Sequence, residues 1–159
     1  MSHNAIEQDA INVLKNVPLN IEQLFFSNNL IRGTLPMSME SLSKLRQFGM
    51  ALNQLSGELA DFADCCPNLQ VLDLSSQKKD DNAGFTGVIP DVLSNLSFLS
   101  KLTLAGNELA GSIPPVLGNL AQLKELDLSD NYLSGSIPAA LGGLGGKSCV
   151  TVCLWFHSM

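Results

Sequence analysis

This chain is short of the residues that do chemistry. Its only histidines, His3 and His157, lie at opposite ends of 159 residues. Each reads as a solvated tail residue, and no grouping of Ser, His and Asp or of paired carboxylates suggests catalysis. An enzyme is therefore not expected. Basic residues are also few, nine Lys and Arg against fifteen Asp and Glu, for a formal net charge of −6. Binding to a phosphate backbone needs clustered positive charge, so this balance argues against nucleic acid as a partner. The four cysteines fall in two pairs, Cys65–Cys66 and Cys149/Cys153. Neither pair has a zinc-site spacing with companion histidines, and no metal or cofactor is expected. Adjacent cysteines rarely bond to each other, because closure strains the peptide between them. Disulfide status and redox compartment stay open. The longest apolar run is Cys149 to Phe156, less than half of the roughly 20 residues that cross a bilayer. Residues Met1 to Ala10 lack both a basic n-region and an apolar h-region, so they do not read as a secretory signal.

What is present is a folded composition, 45% apolar with only 15% charged residues, and room for one domain with a sizeable core. It is arranged as a repeat. Leu99-x-x-Leu102-x-Leu104-x-x-Asn107-x-Leu109-x-Gly111-x-Ile113-Pro114 recurs 24 residues later as Leu123-x-x-Leu126-x-Leu128-x-x-Asn131-x-Leu133-x-Gly135-x-Ile137-Pro138. Leu45, Phe48, Met50, Asn53, Leu55, Gly57 and Leu59 fill the same slots, as do Ile21, Leu24, Phe26, Asn29, Ile31, Gly33, Leu35 and Pro36. A third unit opens with Leu69, Leu72 and Leu74 but reaches Phe85-x-Gly87-x-Ile89-Pro90 six residues late. The polar, turn-prone segment from Gln77 to Gly84 holds the extra residues and reads as a surface insertion.

Each slot has a physical role. Leu-x-Leu alternation sends every second side chain of a short strand into the core and leaves those between facing solvent. Stacked strands would form a parallel sheet along an inner curve. An Asn after each strand can satisfy backbone groups left unpaired by the turn. Asn29, Asn53, Asn107 and Asn131 should stack as a ladder, broken in the third unit where Gln77 or Ala83 occupies the slot. The glycines permit a tight turn. Beyond Pro36, Pro90, Pro114 and Pro138, short helical turns would pack Leu93/Leu96, Leu117/Leu120 and Leu141/Leu144 inward.

The Leu-x-Gly-x-Ile-Pro half of the unit resembles the plant-specific leucine-rich repeats of receptor-like kinases, receptor-like proteins and polygalacturonase inhibitors. The resemblance runs from Ile21 to about Val152. It implies an α/β solenoid: a right-handed superhelix with a parallel concave sheet and a convex side of 3-10 turns and loops. It also implies a binding module with a protein or peptide ligand, and a co-receptor beside it. The family is mostly secreted or held on the extracellular side of the plasma membrane; the compartment of this chain stays unassigned.

The expected organisation is an N-terminal cap over residues 1–20, five repeats over 21–146 with the insertion at 77–84, and a partial sixth strand and tail over 147–159. Within the cap, Ile6, Ala10, Ile11 and Leu14 share a helical face, which predicts a helix over residues 4–16. The family's N-terminal cap usually carries a cysteine pair, and this chain has no cysteine before Cys65. At the other end, the 24-residue register predicts a strand over Ser148 to Leu154, with Lys147, Val150 and Val152 in the first, second and third strand slots. No cap, membrane span or kinase follows in the sequence, so a fragment of a receptor-like protein, a truncated gene model or a small regulatory form is expected.

Candidate sites follow from the solvent-facing strand positions. Phe25, Asn28, Gln47, Leu52, Val71, Asp73, Lys101, Thr103, Glu125, Asp127 and Asp130 are the expected partner-binding residues. Phe25, Leu52 and Val71 lend the N-terminal half an apolar tendency, while Asp73, Glu125, Asp127 and Asp130 make the remainder acidic. Such a surface suits a ligand with a hydrophobic anchor and basic residues. The opposing expectation is ordinary solvated strand surface, with Asp73 and Asp127 set by repeat habit. The insertion is a second candidate. Asn95-Leu96-Ser97 is the one glycosylation sequon and falls on the convex side. Gly142-Gly143-Leu144-Gly145-Gly146-Lys147-Ser148 suggests a phosphate loop, but that spacing needs glycine where Leu141 stands, and no helix-forming run follows. The competing functions are a receptor-like binding module, a polygalacturonase-inhibitor-like blocker of a secreted hydrolase, and a repeat remnant with no partner.

Overall fold

The computed structural model describes residues 6–36, 42–59, 65–77 and 83–144, and the backbone of 151–153. A short helix, α1 (Ala10–Leu14), precedes the first of the eleven strands assigned among the described residues. The odd-numbered ones are β1 (Gln23–Phe25), β3 (Gln47–Gly49), β5 (Val71–Asp73), β7 (Lys101–Thr103), β9 (Glu125–Asp127) and β11 (Thr151–Cys153). They pair in that order, all parallel, as one six-stranded sheet. Each strand is three residues long because every coil must turn away at once. The middle residues Leu24, Phe48, Leu72, Leu102 and Leu126 are buried. Full burial of such a side chain contributes about 1.5–3 kcal/mol, and a coil supplies it only when the next coil stacks on it.

The even-numbered strands were not anticipated. These are β2 (Arg32–Thr34), β4 (Gln54–Gly57), β6 (Gly84–Phe85), β8 (Ala110–Gly111) and β10 (Tyr132–Leu133). They form a second parallel sheet in two pieces, β2-β4-β6 and β8-β10. Between the pieces, Glu108 N–H donates to Phe85 O at 2.9 Å and Ala110 N–H to Gly87 O at 2.8 Å. Ile31, Leu55, Phe85, Leu109 and Leu133 are buried beneath it. The slot glycine does more here than turn the chain. Gly57 has φ of 89°, and a methyl built on it would lie 2.8 Å from Thr34 Cγ2 of the preceding coil. On the third side, 3-10 turns at Asp91–Asn95, Pro115–Asn119 and Ala139–Gly143 start after Pro90, Pro114 and Pro138. Leu93/Leu96, Leu117/Leu120 and Leu141/Leu144 are buried from there.

The amide ladder is continuous, which corrects the expected break at the third coil. Asn53 Oδ1 accepts from Ile31 N–H of the previous coil at 3.1 Å, and its Nδ2 donates to Phe26 O and Met50 O, each at 2.9 Å. Asn29, Asn107 and Asn131 do likewise toward Ile6, Phe85 and Leu109. Gln77 takes the slot in the irregular coil. Its Oε1 accepts from Leu55 N–H at 3.1 Å, and its Nε2 donates to Met50 O at 2.9 Å, Leu74 O at 3.2 Å and Ser75 O at 3.0 Å. A glutamine carries the same amide one methylene further, and Gln77 is fully buried.

The N-terminal cap also differs from expectation. The helix is Ala10–Leu14, not 4–16; residues 4 and 5 lie outside the described part. Residues ahead of it run alongside β2: Leu30 N–H donates to Ile6 O at 3.1 Å and Arg32 N–H to Gln8 O at 3.0 Å. An open sheet edge leaves backbone groups unpaired, and extended chain satisfies them where a helix cannot. Ala10 and Leu14 are buried, whereas Ile11 is exposed. At the other end, β11 pairs with β9 so that Val152, not Val150, stands opposite Leu126. That coil is two residues longer than the period. A slip of two preserves the in-and-out alternation, where a slip of one would invert it. Lys147, Ser148, Val150 and Leu154 lie outside the described residues.

Candidate functional site

Register turns the open face of the main sheet into columns. The first strand residues align as Gln23, Gln47, Val71, Lys101 and Glu125, and the third as Phe25, Gly49, Asp73, Thr103 and Asp127. A further column stands just before the ladder amides: Asn28, Leu52, Ser76, Gly106 and Asp130, all with positive φ between 52° and 66°. The chain must reverse there to aim each amide inward. Only Gly106 adopts that conformation freely; Leu52 at 58° is held by its N–H bond to Ser75 O at 3.0 Å.

Phe25 is 55% exposed, and its position depends on a glycine one coil away. A methyl on Gly49 would lie 2.7 Å from Phe25 Cδ1, so the ring lies across the bare backbone of β3. Leu52 is exposed on the next coil, and Val71 is half-buried. Asp73 and Asp127 are held alike: Oδ1 of each accepts from the backbone N–H of Ser75 or Ser129 at 3.1 Å and from its hydroxyl at 2.7 or 2.6 Å. The brace fixes each carboxylate and leaves its second oxygen without a partner among the described residues. Lys101 Nζ lies 2.6 Å from Glu125 Oε2. That hydrogen bond, with the charges of Glu125, Asp73 and Asp127 adding to it, holds the Lys101 pKa above its ordinary value. The pair therefore removes one negative charge from the acidic half. Gln47 and Thr103 are half-buried, while Asn28, Glu125 and Asp130 are exposed.

The insertion is narrower than the spacing suggested. Gln77, Ala83 and Gly84 are all buried, so only residues 78–82 could project, and these lie outside the described part. Asn95 is exposed at the end of its 3-10 turn, away from the main sheet. Cys65 and Cys66 are free and buried. Burial, with Cys65 alongside, pushes the Cys66 thiol up to about 12, which removes it as a nucleophile at neutral pH. Sequence reasoning missed the link between Phe25 and Gly49. A glycine inside a strand pattern was the available signal, because it marks a close approach.

Comparison with known proteins settles the repeat. The Leucine Rich Repeat family model matches residues 98–120 and 122–144. This chain is a plant-type leucine-rich-repeat protein. The solenoid is similar to the BIR2 ectodomain of Arabidopsis thaliana, at 30% identity and a TM-score of 0.64 over 78% of this chain and 64% of that one. It is similar to a TDR receptor at 34% identity and a TM-score of 0.73, over 85% of this chain and 22% of that one. It also resembles the Arabidopsis receptor kinase HAESA, solved in complex with the peptide hormone IDA and the co-receptor SERK1, at 32% identity and a TM-score of 0.69 over 85% and 22%. The leucine-rich-repeat chain thus spans less than two thirds of each of these chains. No curated protein sequence gives a significant match. The family indicated is an interaction scaffold, not a catalytic one.

Proposed function

We propose that this leucine-rich-repeat chain is the recognition part of a receptor-like ectodomain, binding a protein or peptide ligand on the concave face of the main sheet. One observation carries the reading: an exposed aromatic ring and two braced carboxylates stand in a single registered column, Phe25, Asp73 and Asp127. Exposed aromatics laid on a rigid scaffold are efficient anchors, because little side-chain freedom is lost on contact. The carboxylates supply orientation and choice of partner. Relatives solved with a peptide hormone and a co-receptor support the same reading.

The test is selection of binders from a displayed peptide library on the immobilised chain. Retention should fall at least tenfold with Phe25→Ala or Asp127→Ala and hold with Thr86→Ala, at an exposed position just after β6. Unchanged retention in both main-sheet variants would move the site elsewhere. A transcript that joins this segment to a membrane span and kinase would establish the receptor part of the proposal.

A further inference from the structure

The main sheet imposes a spacing that a partner must match. In the column Phe25, Gly49, Asp73, Thr103, Asp127, an aromatic or charged side chain alternates with a smaller one. Anchors therefore recur at every second strand. Neighbouring strands lie about 4.8 Å apart, which separates Asp73 from Asp127 by about 9.6 Å; the Phe25 ring, leaning over Gly49, stands nearer to Asp73 than that. A β-strand laid along this column fits poorly: its side chains on one face recur at about 6.6–6.8 Å, and the third residue points away. A polyproline II helix fits well. Three residues per turn at a rise of 3.1 Å return a side chain to the same face after about 9.3 Å.

Resting on the concave-face reading, we infer that the partner segment is a polyproline II peptide. It carries two Lys or Arg three residues apart, against Asp73 and Asp127, with an apolar side chain ahead of them against the Phe25 ring. The charges complement. Each aspartate has one oxygen held by a serine, Ser75 or Ser129, and the other without a partner among the described residues, ready for a charge-assisted hydrogen bond. Lys101, the basic residue on the strand between them, bonds Glu125 in the neighbouring column rather than either aspartate. The Phe25 ring is laid down by the space above Gly49, and proline-rich ligands lose little conformational freedom on binding.

Fluorescence anisotropy on the full 159-residue chain tests this with labelled peptides in a polyproline host. One set places two Lys at three-residue spacing with Leu ahead of them, in both chain directions; the others space the two Lys by two and four. The three-spaced peptide, in one direction, should bind at least tenfold tighter than the others. Phe25→Ala and Asp73→Asn should each cost it at least fivefold, and Asp73→Asn keeps an oxygen for Ser75, so a circular-dichroism melt should be unchanged. Equal affinity at all spacings, still lost with these variants, would overturn the spacing and leave the concave reading standing. Tighter binding by a two-spaced, strand-forming peptide would overturn it as well. So would no binding by any peptide, and the library selection would then judge the concave reading by itself.

Discussion

Replacing Gln77 with Ala removes one side chain from the interior, and the cost can be worked out bond by bond. Its amide makes four hydrogen bonds: it accepts from Leu55 N–H and donates to Met50 O, Leu74 O and Ser75 O. The three carbonyls are not orphaned by the change. Met50 O keeps Asn53 Nδ2, Leu74 O keeps Asn107 Nδ2, and Ser75 O keeps the Leu52 N–H. Leu55 N–H has no other acceptor among the described residues, and Leu55 is fully buried. An unsatisfied buried donor costs about 1–3 kcal/mol. With the lost bonds and the space left by a fully buried side chain, Gln77→Ala should destabilise by about 2–4 kcal/mol. Urea denaturation measures the total, and hydrogen exchange reports the Leu55 amide separately. Gln47→Ala, half-buried on the open face, should stay within about 0.5 kcal/mol of the parent. A Gln77→Ala change within that same margin, with Leu55 still protected, would refute the view that the ladder runs through this coil.

Further outcomes follow from single contacts. Gly49→Ala should displace the Phe25 ring, since the new methyl would stand 2.7 Å from Cδ1; ligand retention should fall while the melting temperature moves by only a few degrees, because the exposed ring can swing outward. Cys66 should resist thiol reagents at pH 8 in the folded chain and react once unfolded. Its folded pKa is raised to about 12 from an ordinary 9.0, so its contribution is fully present below pH 9 and should be lost as pH rises from 9 to 12; denaturation across that range measures it. Lys101→Ala should cost no more than about 1 kcal/mol at pH 7, because the pair with Glu125 is exposed. Since the Lys101 pKa is raised above 10.5, that small difference should persist to pH 10.5 and vanish above it.

Much of the fold was legible because the repeat states its own periodicity. Leu24, Phe48, Leu72, Leu102 and Leu126 occupy one slot in the sequence and one line in the core. The misses share one cause: their physical reason lies a coil away. Gln77 departs from Asn within its own unit, yet the groups it must satisfy, Leu55 N–H and Met50 O, belong to the previous coil and need only an amide that reaches them. The second sheet was hidden because Leu-x-Gly-x was read as a turn. Its residues are strands only because the adjacent coil supplies their hydrogen bonds, as Tyr132 N–H finds Leu109 O at 2.8 Å. The cap was misread for the same reason. Ile6 and Ala10 do fall on a helical face, but the unpaired edge of β2 sets a stronger demand on residues 6–9.

The site was legible as a set of positions and not as an arrangement. That Phe25 and Asp127 face outward follows from alternation alone. That the Phe25 ring depends on Gly49, and that Asp73 and Asp127 carry identical braces, appears only once the strands are in register. This separation has a practical consequence. The strands are held by backbone bonds and by Leu24, Phe48, Leu72, Leu102 and Leu126 from below, none of which involves an outward side chain. Substitutions in the Phe25 column should therefore alter binding with little change in stability, and substitutions in the ladder should do the reverse. A double substitution, Phe25→Ala with Gln77→Ala, should be additive in both measurements. Strong coupling between the two would mean that the open face and the core are not independent.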